Sequence, residues 1–202
     1  SLYENITNKI NDVLGHSVKL RKEEPGIVKE KIQISEKKDV FYYNKSKGKV
    51  YSNIIFDHET KYKNKDVYAS RKNITLEGDT PFKRLSTAGN GRIIGDRFLI
   101  LFRYPTNIVF QEGAYIGGNL VIGNRTNSTN PDNYDKITID GPIYVDGDLI
   151  IKGADVKFNS IIYVDGDVEI ENSVINGLET ANGKTGSLIV FATGNIEIHN
   201  NS

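Results

Sequence analysis

Cysteine, methionine and tryptophan are all absent from the 202 residues, and proline occurs only five times. Without cysteine there is no disulfide framework, no thiol nucleophile and no thiolate-bound metal. Methionine is missing even at position 1, so the chain is expected to be an excised fragment or a processed product. No run of 18 apolar residues occurs, so any membrane contact is expected through a hydrophobic helix upstream of Ser1. Net charge is lacking too, because 26 basic residues balance 26 acidic ones. That balance removes any global electrostatic case for binding nucleic acid or an anionic membrane.

What the chain does have is tyrosine, β-branched residues, glycine and asparagine, a composition that favours strands and turns. One phrase recurs through the second half: Ala114–Ile122, Ile143–Ile151, Ile162–Ile170 and Val190–Ile198. Each copy is an aromatic between apolar residues, a glycine turn, then apolar-x-apolar. The glycines stand at Gly118, Gly147, Gly166 and Gly194, at spacings of 29, 19 and 28. A unit near twenty residues with loop insertions marks a coiled β-solenoid.

Strand alternation assigns the faces of each copy. Ile143, Val145, Leu149 and Ile151 point inward in the second copy. Ala114, Ile116, Leu120 and Ile122 are their equivalents in the first. Ile162, Val164, Val168 and Ile170 take these places in the third, and Val190, Ala192, Ile196 and Ile198 in the fourth. A third apolar pair falls between copies: Ile108/Phe110, Ile137/Ile139, Val156/Phe158, with Val174 as its last member. Three short strands per turn make a three-sided coil. The segment Ile93–Ile100 fits the pattern only in part, because Arg97 falls where an inward apolar residue belongs. Polar, turn-rich loops at 123–136 and 177–187 interrupt the stack. The triplets beginning at Asn124 and Asn127 match the glycosylation signal, but chance explains them in a loop so rich in Asn and Thr.

The first ninety residues read differently. Leu2, Ile6, Ile10, Val13 and Leu14 recur at helical spacing, with Gly15 where a C-cap prefers glycine, so 2–14 is expected to be an amphipathic helix. Residues 40–56 look like a strand–turn–strand hairpin, with shorter strands at 67–69 and 74–76. The expected organisation is therefore 1–90 as a helix plus a small antiparallel meander, and 91–202 as a right-handed parallel β-solenoid. The fold class is mainly β.

Two outward columns are candidate sites. Tyr115, Tyr144, Tyr163 and Phe191 form an aromatic column, which is either a stripe for a glycan or host-cell protein, or a structural feature: a self-stacking ladder that fixes register or the surface against which the first domain packs. The structural reading is favoured, because a helix plus meander needs something to lie on. At the turns, Asp146, Asp148, Asp165 and Asp167 offer the oxygen ligands that calcium takes. Against calcium, Asp and Asn close tight turns by bonding local backbone amides, and the flanking copies carry Asn and Thr in the same columns. No other cofactor is implied. Catalysis has little support: His16, His58 and His199 are scattered, and ordinary solvated arginines explain Arg92, Arg97 and Arg103.

The phrases Ile143-Tyr-Val-Asp-Gly-Asp-Leu-Ile-Ile-Lys-Gly and Leu188-Ile-Val-Phe-Ala-Thr-Gly-Asn-Ile-Glu-Ile resemble the C-terminal β-solenoid region of PilX-like, pilin-like proteins of bacterial type IV pilus systems. The resemblance covers residues 91–202. It implies a non-catalytic minor or accessory pilin outside a bacterial cell, working by contacts with other pilins and pilus-assembly proteins and by adhesion. Bactofilins use similar Gly-Asp/Asn phrases, so a polymerising scaffold is the alternative, followed by a carbohydrate-active β-helix.

Overall fold

The structure is a computed structural model that describes residues 53–69, 71–99 and 102–200. The helix expected at 2–14 and the first strand of the expected hairpin lie outside the described residues. In chain order the strands are β1 (Asn53–Asp57), β2 (Asp66–Tyr68), β3 (Asn73–Glu77), β4 (Asp79–Thr87), β5 (Gly91–Ile94) and β6 (Asp96–Leu99). Then come β7 (Phe102–Tyr104), β8 (Thr106–Ile116), β9 (Leu120–Ile122), β10 (Asp135–Asp140), β11 (Ile143–Val145) and β12 (Leu149–Lys152). The last five are β13 (Ala154–Val164), β14 (Val168–Glu171), β15 (Val174–Gly177), β16 (Leu188–Ala192) and β17 (Ile196–His199).

The fold is mainly β, and its two large sheets are parallel. One runs β1-β3-β5-β9-β12-β14-β17, and the other runs β10-β13-β11-β8-β4-β2, with β15 and β16 also on β13. Residues far apart in sequence become neighbours in space. Ala114, Ile143, Ile162 and Val190 are successive register partners. So are Leu120, Leu149, Val168 and Ile196 on the other side of the turn. The unequal spacings are absorbed by the loops, while the strands keep one register.

The inward faces follow the alternation. Ile143, Val145, Leu149 and Ile151 are fully buried, as are Ile122, Ile162, Val164 and Val168. Burial of each such side chain is worth about 1.5–3 kcal/mol, and this apolar core is the main stabilising term. The third pair is in place too, with Ile108/Phe110, Ile137/Ile139 and Val156/Phe158 all buried. Its last member is corrected by the register: Val156 partners Ile175, and Ile175 rather than Val174 packs against the core. Toward the chain start the core turns aromatic, where Phe56, Tyr62, Phe82 and Phe110 meet in edge and stacked contacts.

Residues 53–87 do not form the expected antiparallel meander. β1 pairs β3 in parallel, and β2 pairs β4 in parallel. The change of architecture expected at residue 91 is absent here, because β3 pairs β5 and β4 pairs β8 across it. The segment 93–100 is not a copy of the phrase. β5 ends at Ile94, and β6 pairs with β7 in antiparallel fashion. The preceding copy is instead Leu85–Ile93, whose Leu85, Ser86 and Thr87 partner Ala114, Tyr115 and Ile116. Opposite charges at register partners support this alignment. Arg84 forks onto Asp66 with two bonds of 2.8 Å, Lys136 Nζ lies 2.6 Å from Asp155, and Lys152 Nζ lies 3.3 Å from Glu171.

Candidate functional site

In the repeated phrase the aromatic sits between two inward residues, so its ring projects from the outer face of the sheet. Parallel pairing in register then sets Tyr115, Tyr144, Tyr163 and Phe191 side by side. Neighbouring strands are about 4.8 Å apart, which is near the spacing of stacked rings. Tyr144 and Tyr163 stack with centroids 4.6 Å apart and planes at 20°; Tyr115 and Tyr144 stack at 5.5 Å and 13°. The column continues backwards to Ser86 and Tyr68, which the sequence pattern did not reveal.

This column is not an open stripe. Tyr144 and Tyr163 are only 1% and 2% exposed, while Tyr115 and Phe191 are half-buried. Tyr115 Oη donates to Asp146 Oδ2 at 3.2 Å, and Tyr144 Oη approaches Asp146 Oδ1 at 3.5 Å. Burial pushes the Tyr144 phenol well above its usual range, and the Asp146 carboxylate adds to the effect. Tyr163 shifts the same way, through burial first and Asp165 second. Both phenols therefore stay protonated near neutral pH and are not poised as bases.

The turn residues form a second column. Asn90 N–H donates to Asn73 Oδ1 at 3.0 Å, and Asn119 N–H donates to Asn90 Oδ1 at 2.9 Å. Asp148 N–H reaches Asn119 Oδ1 at 2.9 Å, Asp167 N–H reaches Asp148 Oδ1 at 2.8 Å, and Asn195 N–H reaches Asp167 Oδ1 at 2.9 Å. The expected local turn bonds are thus replaced by bonds from one copy to the next, with the same side-chain oxygen accepting each time. A carboxylate and an amide oxygen can both accept this bond, so Asp and Asn interchange in this column.

The phrase glycines have a related cause. None of Gly118, Gly147, Gly166 and Gly194 takes a positive φ, so conformational freedom is not what they supply. A Cβ at Gly166 would lie 2.5 Å from the Gly147 carbonyl oxygen, and one at Gly147 or Gly194 would strike the ladder side chain below it. Glycine is needed because backbone stacks directly on backbone.

Of the four candidate calcium ligands, Asp148 and Asp167 accept ladder bonds, Asp146 accepts from Tyr115, and Asp165 accepts from Thr193 Oγ1 at 3.0 Å. Among the described residues, no group of three or more Asp, Glu or His is gathered to hold a metal ion. Arg92 is exposed on β5; the side chains of Arg97 and Arg103 lie outside the described residues, as does His16. His199 is exposed, and His58 has a partner that sequence spacing did not suggest. Its Nε2 lies 2.7 Å from Oδ2 of the buried Asp96, which raises its pKa above the usual histidine value. Asp79 N–H donates to Nδ1 at 3.3 Å. These bonds pin the turn after β1 to β6 and to the start of β4.

In the 123–136 loop, Asn124 Oδ1, Thr126 Oγ1, Ser128 Oγ and Asn130 Oδ1 each accept from the backbone N–H two residues on. Asn124 Nδ2 also donates to the Asn133 carbonyl, so its amide is used at both ends. Comparison with protein-family models, with curated proteins and with solved structures returned no match.

Proposed function

We propose that residues 53–199 wind as a right-handed β-solenoid and that the chain is a non-catalytic subunit of a bacterial type IV pilus system, of the PilX-like accessory kind. The solenoid reading rests on three columns of register partners, one for each strand segment of a turn. Right-handed winding follows from the strong handedness preference of parallel crossovers.

The non-catalytic reading rests on one observation. The polar side chains peculiar to the repeated phrase are committed to one another: the Asn/Asp column to backbone amides of the next copy, and Asp146 to the tyrosines. A residue whose lone pairs are used in this way is built for stacking rather than turnover. The phrase itself supports the pilin assignment, and an elongated stack suits display outside a bacterial cell, where the partners are other pilins and assembly proteins.

Fractionation of the source cells tests this reading. Pili sheared from cells should carry the chain, and protease added to intact cells should remove it. Recovery solely from the cell interior would overturn the assignment.

A further inference from the structure

Composition alone attributes both glycosylation triplets of the 123–136 loop to chance, but the structure separates them. Along residues 124–130 alternate side chains have different fates. Asn124, Thr126, Ser128 and Asn130 turn back onto the chain, each accepting a backbone N–H two residues ahead. Arg125, Asn127 and Thr129 stand between them and are exposed. Short polar side chains that close successive turns leave the intervening ones to solvent.

A glycosylation triplet places its asparagine and its hydroxyl two residues apart, so both fall on one side of this alternation. In the first triplet both are consumed. Asn124 Nδ2 donates to the Asn133 carbonyl at 2.7 Å, and Thr126 Oγ1 accepts from Ser128 N–H at 3.1 Å. In the second triplet both are displayed. The side chains of Asn127 and Thr129 are exposed and make no hydrogen bond among the described residues. Between them, Ser128 Oγ accepts from Asn130 N–H and from Asn133 Nδ2, which holds the displayed pair in place. Pro131 follows the triplet and does not fall inside it, where it would block transfer.

We propose that Asn127 is an N-glycosylation site, with Thr129 as the hydroxyl that the transferase reads. The donor class is an oligosaccharide carried on a polyprenyl diphosphate. Asn127 Nδ2 attacks the anomeric carbon, and a carbon–nitrogen bond forms as the bond from that carbon to the diphosphate oxygen breaks. The diphosphate leaves with the electron pair, and the amide nitrogen gives up one proton.

The loop joins β9 of one large sheet to β10 of the other, so a bulky, hydrated sugar on it sits clear of the paired strands. Transfer of this kind acts on exported chains, so it rests on the extracellular part of the reading above and not on the pilus assignment.

Peptide mapping of the chain purified from its source cells tests the site. Trypsin cuts after Arg125 and Lys136, which puts Asn127 in the peptide Thr126–Lys136 and leaves Asn124 in another. Mass spectrometry with electron-transfer fragmentation should find a sugar on Asn127 and none on Asn124. In the same cells Asn127→Gln and Thr129→Ala should each abolish the glycopeptide, and Thr129→Ser should retain it. Both side chains are exposed, so circular dichroism of these variants should match the parent chain. An unmodified Asn127 overturns the proposal, as does a sugar on Asn124, one that survives Asn127→Gln or one indifferent to Thr129→Ala. An unmodified Asn127 in chain recovered from sheared pili would leave the pilus assignment standing. A sugar on Asn127 in chain absent from pili would do the reverse.

Discussion

Replacing Tyr144 separates a structural column from a ligand stripe, and the geometry supplies the magnitude. Tyr144 is 1% exposed and stacks on Tyr115 at 5.5 Å and on Tyr163 at 4.6 Å. Truncating a large buried aromatic to alanine costs about 3–5 kcal/mol, of which each stacked ring pair contributes roughly 0.5–1.5 kcal/mol. Tyr144→Phe keeps the ring and loses only the hydroxyl, which approaches Asp146 at 3.5 Å and is hydrogen-bonded to Tyr163. A side-chain hydrogen bond contributes about 0.5–1.5 kcal/mol, so the phenylalanine variant should lose no more than about 1.5 kcal/mol. Tyr115→Ala should fall between them, because Tyr115 is half-buried and has a single ring neighbour among Tyr144 and Tyr163. Urea unfolding followed by far-ultraviolet circular dichroism gives the three values directly, provided the slope is unchanged. If Tyr144→Ala unfolds at the same urea concentration as the parent chain, the buried column is refuted.

Other perturbations probe the turn and the core. Asp167→Asn should leave stability nearly unchanged, whereas Asp167→Ala should cost about 0.5–1.5 kcal/mol by removing the acceptor of Asn195 N–H; equal losses in urea would contradict the ladder. Gly166→Ala should destabilise by about 1–3 kcal/mol, because its Cβ meets a carbonyl in the neighbouring copy. Gly91→Ala should instead stabilise by about 0.4–1 kcal/mol. There a Cβ meets only the ends of Ile116 and Leu120, beside a small cavity, and the unfolded chain loses freedom. Stability should also fall as pH rises above about 10. Unfolded tyrosines ionise there, while Tyr144 and Tyr163, raised by burial, hold their protons in the fold. Their contribution is complete below about pH 10 and is lost as pH climbs toward the folded-state values. Tyr144→Phe should flatten that decline in a thermal-melt series.

Much of the second half was legible because a strand buried on one face leaves a period-two record, and equal phrases must lie side by side. The inward set from Ala114 to Val168 could be read from alternation alone. The earlier copy was hidden by its substitutions: Ser86 stands for the aromatic, and Gly91-Arg92-Ile93 stands for apolar-x-apolar. The conspicuous apolar run starting at Ile93 drew the eye one strand too late. Direction was not legible around residues 53–77, since alternation looks the same in parallel and antiparallel strands and the turn at Lys45–Gly48 suggested a hairpin. At the site, the Asp/Asn columns were visible, but the partner of each oxygen was not. Which amide it meets depends on stacking, which no local pattern encodes. The His58–Asp96 pair was equally hidden, because 38 residues separate its members.

Cross-linking across equivalent positions tests the central claim of in-register parallel stacking most directly. The chain has no native cysteine to interfere. Ile150 and Glu169 are register partners on the outer face of adjacent strands, so their Cα atoms lie about 4.8 Å apart, within disulfide reach. Ile150 and Glu171, one outward position further along, lie about 8 Å apart, beyond that reach. The account predicts that Ile150→Cys with Glu169→Cys forms an intramolecular disulfide on mild oxidation, and that Ile150→Cys with Glu171→Cys does not. Equal oxidation of the two pairs, or preference for the offset pair, would contradict it.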